Sequence, residues 1–492
     1  MYLSKLCKAL ITNSSLNIVC DKNKNKMIII EEYKRVKSYI LQNCKGNEKI
    51  GIYLDKDYSY VLTILCLIEL GITFIPLNKK WPDERNKLIV DLAHCDYIIS
   101  DSNLELNSNI ISYENIQKYE IKESNNNFLG LNNPIYIMFT SGSTGIPKGV
   151  EISRSAYQNF VQWVDSYFST ISNKDKLLNT ADFTFDLSMI DIALLLSKEL
   201  NFYISSFDNS IFKLLFEIEK YQITTIATVP NNINMLLSPK VIKRGNIISL
   251  KYLLLGGARF SYGLYLNIIE RLEQFKVYNL YGPTEATVYC SVLELTGYEK
   301  EVSGTSVCVG KAIDNMEIRI FDEEFHEMPI HSKGEVYICG NQLMNKYINN
   351  KDLNEKVLIS IDSKLYYKTG DLGFVDEYSN LFIVGRMDDT IKSNGYRVNL
   401  SDIDSIITKL DYIEDCAVVA VEDEDKENRL IAYLKIYMEV SLDKINQDLK
   451  LILANYQIPH EINILENFPL NTSGKISKKD LKNSYLDKEE NK

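Results

Sequence analysis

The stretch Tyr136–Val150 reads YIMFTSGSTGIPKGV, and its residue types suit a polyanion. The apolar run 135–139 has the character of a buried strand. The ten residues from Thr140 carry three glycines, four hydroxyls (Thr140, Ser141, Ser143, Thr144) and Lys148. Glycines such as Gly142 and Gly145 let backbone N–H groups approach phosphate oxygens closely. The hydroxyls add donors, and Lys148 adds a point positive charge. A solvated Ser/Gly linker rarely follows a buried strand at once or ends in Pro-Lys-Gly. The stretch is not a Walker loop, which ends in Gly-Lys-Ser/Thr. Here Lys148 stands between Pro147 and Gly149.

Further residues with chemical potential lie downstream. In VYNLYGPTEATV (277–288), Tyr281 offers an aromatic face to a base and Gly282-Pro283 a tight turn. Thr284 offers a hydroxyl to phosphate, and Glu285 a hard oxygen ligand for Mg²⁺. Seen alone, YGPTE is equally a surface turn. Gly256-Gly257-Ala258 follows the apolar run 250–255, and two glycines there permit close approach of a flat ring. Asp186 lies in DFTFDLSMIDIAL, where a carboxylate among apolar residues needs a partner. The plainer alternative is a helix N-cap. Asp371, between Gly370 and Leu372, could accept from two vicinal hydroxyls. Lys475 in PLNTSGKISKKDL is either a reactive lysine on a Gly-flanked loop or part of a basic tail with Lys478, Lys479 and Lys482.

Elements that could hold these groups alternate along the chain. Strands are expected at Met27–Ile30, Lys49–Leu54, Ile72–Leu77, 223–229 and 250–255, with a helix over Tyr60–Leu70 that stops at Gly71. This alternation predicts an α/β protein with parallel sheets. Period-two spacing at Met316, Ile318 and Ile320, followed by GEVYICG, predicts a small antiparallel sheet or barrel. Beyond residue 388, Ser401 with Asp404 resembles a capping box, and Ile403, Ile406, Ile407 and Leu410 recur at helical spacing. Strands at Cys416–Val421 and Leu430–Ile436 complete a separate small α+β lobe. The charged tail after Tyr485 is expected to be disordered.

Bulk properties narrow the class. At 492 residues the chain exceeds one core. A formal net charge of −11 argues against nucleic acid or an anionic membrane as partner. No apolar run reaches membrane-spanning length. The nine cysteines never form C-x-x-C, which fits reduced thiols in the cytoplasm. The four histidines include no zinc-type pair.

The motifs TSGSTGIPKG, YGPTE, YYKTGDLG, GRMD and NTSGK, in that order, resemble those of the adenylate-forming superfamily. Its members include acyl- and aryl-CoA ligases and the amino-acid adenylation domains of non-ribosomal peptide synthetases. The resemblance covers nearly the whole chain. It implies a large N-terminal lobe (1–387) of two βαβ-type sheets plus a small β-barrel, and a small mobile C-terminal lobe (388–492) hinged at Asp388. It also implies ATP and Mg²⁺ as cofactors. The nucleotide would be held by Thr140, Ser141, Gly142, Ser143, Thr144, Gly145 and Lys148, by Gly256, Gly257 and Ala258, and by Asn279, Tyr281, Gly282, Thr284, Asp371 and Arg386. Glu285 would hold the metal. Lys475 and Arg386 would be catalytic. Ala258 stands where the family usually has an acidic residue.

In amino-acid adenylation domains an aspartate in the F-D-x-S context pairs with the substrate ammonium, and Asp186 matches it. The family's pocket positions map to Asp186, Leu187, Ile190, Ala227, Leu254, Gly256, Leu280, Val288 and Tyr289, with Lys475 at the carboxylate. Apart from Asp186 these walls read as apolar, with room left by Gly256 and Ala227. The expected substrate is therefore a neutral, mostly apolar amino acid, passed to the phosphopantetheine thiol of a separate carrier protein. A free-standing, monomeric, cytoplasmic enzyme is expected. FDLSMIDI also resembles D-alanine–carrier protein ligases, although these carry a cysteine where Gly256 stands. An acyl- or aryl-CoA ligase and a catalytically silent nucleotide-binding protein are the competing classes.

Overall fold

Two mixed sheets share one core in the computed structural model. It describes all residues except 1, 14, 21–24, 82, 103–107, 123–133, 141–146, 207–209, 259, 272, 298–306, 388–389, 394–395, 423–427, 454–456, 473 and 491–492. The seven-stranded sheet runs, edge to edge, through Lys346–Tyr347, Lys148–Ser153, Pro134–Thr140, Thr73–Pro76, Lys49–Tyr53, Tyr97–Ser100 and Asn109–Ser112. The eight-stranded sheet runs through Ile18–Val19, Asn201–Ile204, Lys176–Asn179, Thr225–Thr228, Tyr252–Gly256, Lys276–Tyr281, Ser291–Glu294 and Lys311–Ala312. Its first five pairings are parallel and its last two antiparallel.

The helix Tyr58–Leu70 is buried along its whole length, which matches its lack of a polar face. Gly71, at φ 83°, ends it. Its one charge, Glu69, accepts from the Tyr33 hydroxyl and from Lys37 Nζ at 2.7 Å, so the buried carboxylate is paired. A second apolar helix, Ser188–Lys198, packs into the same cluster.

Register decides which side chains meet. Ala227, Leu254 and Tyr278 lie opposite one another on adjacent parallel strands and face the shared core. Their neighbours Ile226, Leu253 and Val277 face a second cluster on the far side. The central strands end together at Thr228, Gly256 and Tyr281. Segments following strand carboxyl ends are where open α/β sheets bind ligands.

A five-stranded antiparallel sheet forms a half-barrel from Met316–Phe321, Gly334–Gly340, Leu358–Ile361, Lys364–Val375 and Leu381–Arg386. The C-terminal lobe has a three-stranded sheet (Ile413–Glu422, Asn428–Ile436, Glu461–Ile464) with helices Leu400–Ile407, Leu442–Ile452 and Lys478–Glu490. Its core clusters draw only on residues from Leu400 onward. Among the described residues no helix is long and apolar enough to cross a membrane.

Three expectations change. Met27–Ile30 is helical, inside Lys26–Asn43, because Asn25 caps Met27 N–H and Ile29, Ile30, Tyr33, Val36 and Ile40 make a buried helical stripe. Asp404 does not close a capping box. The helix starts at Leu400, and the carboxylate accepts from Val418 N–H at 2.6 Å and from Lys478 Nζ at 2.9 Å. The tail beyond Tyr485 continues as helix to Glu490, its Leu481 and Tyr485 buried against the lobe's sheet.

Candidate active site

Asp186 is 8 % exposed and sits just before the helix Ser188–Lys198. Thr284 and the backbone of Leu187 lie close to its carboxylate. Burial pushes the carboxyl up to about 6, and Glu285 nearby adds to the rise. Thr284, Lys475 and the Leu187 N–H act the other way. Lys475 is thus close enough for its charge to act on Asp186, although 288 residues lie between them in the sequence. A second buried carboxyl, Asp191, accepts from Asn179 Nδ2 at 2.7 Å and is pushed up to about 8 by burial. At neutral pH Asp186 is therefore the ionised member of the pair.

An ammonium group facing Asp186 needs that charge. Because the carboxyl titrates near 6, amino-acid kcat/KM should be flat above that pH. Below it, kcat/KM should fall about tenfold per pH unit as the partner is neutralised. A pH profile at saturating ATP checks this, and a flat profile down to pH 5 would contradict it.

Lys475 is exposed on a tight loop. Asn471 N–H donates to Lys475 O at 2.8 Å, and Lys475 N–H donates to Asn471 Oδ1 at 3.0 Å. Gly474 makes this turn at φ 76°, and a Cβ there would lie 3.2 Å from Val229 Cγ2. Val229 follows the strand Thr225–Thr228, so the C-terminal lobe's loop rests on the larger lobe beside the strand ends.

On the nucleotide side, Tyr281's hydroxyl donates to Asp371 Oδ2 at 2.5 Å. Asp371 lies opposite Arg386 across the half-barrel strands. Gly257, at φ 76°, and Ala258 follow Gly256 at the strand end, while Gly282 begins the turn into Thr284–Ala286. Thr140 is half-buried at its strand end. Ser141, Gly142, Ser143, Thr144 and Gly145 lie outside the described residues, as do Asp388 and the side chain of Arg386. Lys148 begins the next strand, with Nζ 5.8 Å from the centre of the Tyr347 ring. Tyr347 in turn donates its hydroxyl to Glu285 Oε1 and lies 3.2 Å from the Tyr367 hydroxyl.

Glu285 has no acidic or histidine cluster around it, and the described residues include no such group that could hold a metal. One carboxylate suits Mg²⁺ that arrives largely coordinated by phosphate and water, so the residue present fits that ion.

Leu187, Ile190, Ala227, Leu254, Leu280, Val288 and Tyr289 all belong to the main buried cluster of the larger lobe. Asn279 is buried, and its amide donates to Cys308 O at 2.8 Å. Two expectations about the walls change. The walls are not wholly apolar, because the hydroxyls of Tyr136 and Tyr289 are buried without partners and feel the Asp186 charge. The room beside Gly256 is filled by the Tyr289 ring.

Sequence reasoning missed Tyr136, Val229 and the Tyr347–Glu285 bond. Tyr136 sits in the strand ahead of the phosphate-loop motif, and only its burial beside Asp186 distinguishes it.

The family model described as AMP-binding enzyme matches residues 31–348. The chain belongs to the AMP-binding enzyme family. That family's C-terminal domain model matches residues 402–475. By this membership the chain is an AMP-forming adenylating ligase. It is 28% identical over 87% of its length to 84% of zwittermicin A synthase ZmaJ of Bacillus cereus. It is likewise 28% identical, over 91% of both chains, to a D-alanine–D-alanyl carrier protein ligase of Bacillus velezensis. Among solved structures, Klebsiella oxytoca NpsA in complex with 3-hydroxyanthranilyl-AMSN superposes with a TM-score of 0.87 at 19% identity, covering 99% of both chains. The o-succinylbenzoate CoA synthetase MenE of Bacillus subtilis, with ATP and magnesium, does so at 0.79 and 22% identity, covering 98% and 99%.

Proposed function

We propose that this AMP-binding enzyme activates a neutral amino acid as its aminoacyl adenylate and passes it to a carrier-protein thiol. The buried Asp186 carboxylate, within electrostatic reach of Lys475 and next to the buried, apolar Leu187, carries the reading. A carboxylic acid without an amino group would gain nothing from that buried charge and would meet an uncompensated anion. The carrier-protein ligase among the relatives supports the same reading.

In the first half-reaction a carboxylate oxygen attacks the α-phosphorus of ATP, and the bond to pyrophosphate breaks. Both partners are anions, so positioning and charge neutralisation dominate. Lys475 bridges the substrate carboxylate and the α-phosphate, while Asp186 holds the ammonium. Asp371 takes the ribose hydroxyls, with Tyr281 fixing its orientation, and Arg386 contacts nucleotide oxygens. Thr140, Ser141, Ser143, Thr144 and Lys148 hold the outgoing phosphates. Glu285 would hold Mg²⁺, which offsets negative charge on the phosphates when bound. No general base is required, since the nucleophile is already ionised.

In the second half-reaction a thiol sulfur attacks the acyl carbon and AMP leaves, the thiol proton passing to solvent. The lobe beyond residue 388 turns about Asp388 and lifts Lys475 away, opening a path for the thiol. Its separate core clusters suit motion as a unit. We read the enzyme as a cytoplasmic monomer, and the nine free cysteines suit a reducing compartment.

Incubation with ATP, magnesium, an amino-acid mixture and a phosphopantetheinylated carrier tests the sequence of steps. Intact-mass analysis should find the carrier heavier by one aminoacyl group, with AMP and pyrophosphate released. Acylation of coenzyme A with the carrier untouched would favour a CoA ligase.

A further inference from the structure

Asp186 lies on a short loop that leaves the strand Lys176–Asn179 and enters the helix Ser188–Lys198. A loop places a charge only as well as its ends are held. Here the two ends are tied to each other. Asn179, the last residue of the strand, donates its amide to Asp191 Oδ2 in the first turn of the helix at 2.7 Å. Inside the loop, Asp182 Oδ1 accepts from Thr184 N–H at 3.0 Å, and Phe185 N–H donates to Asp182 O at 3.0 Å. Met189 N–H donates to Asp186 O at 2.8 Å.

The loop is also held from the other sheet. Lys56 follows the strand Lys49–Tyr53, and its Nζ donates to Thr180 O at 3.0 Å and to Asn179 O at 3.4 Å. Four residues further on, Tyr60 stacks on Phe183, with ring centres 4.8 Å apart and planes at 25°. The Tyr60 hydroxyl lies 3.1 Å from both Ile52 O and Leu77 O, which fixes that ring in turn.

A lysine is a costly choice for a simple tie. Lys56 is half-buried, and its hydrogen bonds go to carbonyls rather than to a carboxylate. Burial pulls its amine down to about 8, with Asp182, Asp191 and Glu217 opposing the fall and Lys80 adding to it. In return, one ammonium donates to two carbonyls at once, and such charge-assisted bonds are about twice as strong as neutral ones. That strength matters where the loop beyond those carbonyls must hold a charged group still.

We propose that Lys56 is a positioning residue for amino-acid activation, holding the Asn179 and Thr180 carbonyls and so fixing the loop that presents Asp186 to the substrate ammonium. This rests on the amino-acid reading above. The effect runs through the loop backbone. The seven-stranded sheet, which also carries the strand Pro134–Thr140 ahead of the phosphate-loop motif, thereby sets the geometry of an ammonium site built on the eight-stranded sheet.

The test is ATP–pyrophosphate exchange by the full chain, with whichever of glycine, alanine, leucine and phenylalanine the wild type uses best. Lys56→Met keeps the side-chain length and loses the donors. It should raise KM for the amino acid by about tenfold to a hundredfold, the worth of hydrogen bonds from a charged group, and leave KM for ATP unchanged. Lys56→Arg keeps charge and donors and should restore most of the loss. In the Asp186→Asn background Lys56→Met should add less than about twofold, because the group it positions is gone. Lys56→Gln keeps a neutral donor. It should show a smaller rise in KM and the same silence beside Asp186→Asn, which guards against misfolding of the methionine variant. Unchanged amino-acid KM in Lys56→Met and Lys56→Gln, no rescue by Lys56→Arg, or the same fold-loss with and without Asp186 would overturn the proposal and leave Lys56 a tie between the sheets. Equal wild-type exchange with the amino acid and with its counterpart lacking the amino group would instead defeat the underlying reading.

Discussion

Lys475→Ala loses amino-acid-dependent ATP–pyrophosphate exchange by about 10²–10³-fold, the usual consequence of removing one transition-state charge partner. Lys475 is exposed on a loop closed by its backbone, whose N–H donates to Asn471 Oδ1 and whose carbonyl accepts from Asn471 N–H. Its charge reaches Asp186, and the neighbouring Gly474 rests on Val229, which suits the proposed role of the lysine between the substrate carboxylate and the α-phosphate. Loss should fall on kcat more than on KM for ATP, because the interaction strengthens as charge develops. Thioester formation from chemically made aminoacyl adenylate should survive, since the proposed turn of the C-terminal lobe removes Lys475 from the site before that step. Exchange kinetics and single-turnover transfer, measured on the same variant, separate the two steps. Equal loss in both would mean that Lys475 shapes the lobe and does not act in adenylation.

The second large effect is Asp186→Asn. Amino-acid kcat/KM should fall by about 10²–10³-fold, in line with roughly 2–5 kcal/mol for breaking a buried charge pair, with KM for ATP little changed. The stability effect should have the opposite sign. Burial raises the folded-state carboxyl to about 6, above its ordinary value of 3.8. Ionisation therefore works against folding as pH rises through that window. At pH 7 the isosteric amide removes that burden, worth on the order of 1–3 kcal/mol, and Tm should rise. A calorimetric scan beside the kinetic assay checks this. Lower stability together with lost activity would indicate that Asp186 is a structural cap.

The residues proposed to carry the chemistry, Asp186, Glu285, Asp371 and Lys475, each sit in a short motif that can be recognised locally in the sequence. The α/β class and the separate C-terminal lobe followed from alternation and period. What remained illegible depends on distance or on backbone conformation. The Tyr347 hydroxyl reaches Glu285 across 62 residues, which no window of sequence reports. The Tyr289 ring covers Gly256 because Thr287 and Val288 adopt left-handed conformations that neither residue type favours. Met27–Ile30 looks like a strand when read alone, and only the buried stripe that continues to Ile40 makes it helical. Asp404 fits a capping pattern, yet the partner it takes is a backbone N–H from Val418 on the neighbouring strand.

Amine-dependence tests the central claim most directly. Wild-type enzyme is assayed by ATP–pyrophosphate exchange with alanine and with propionate, its counterpart lacking the amino group. Amino-acid activation through Asp186 predicts exchange with alanine, at least about a hundredfold weaker exchange with propionate, and loss of that gap in Asp186→Asn. Equal exchange with both acids in the wild type would contradict the account.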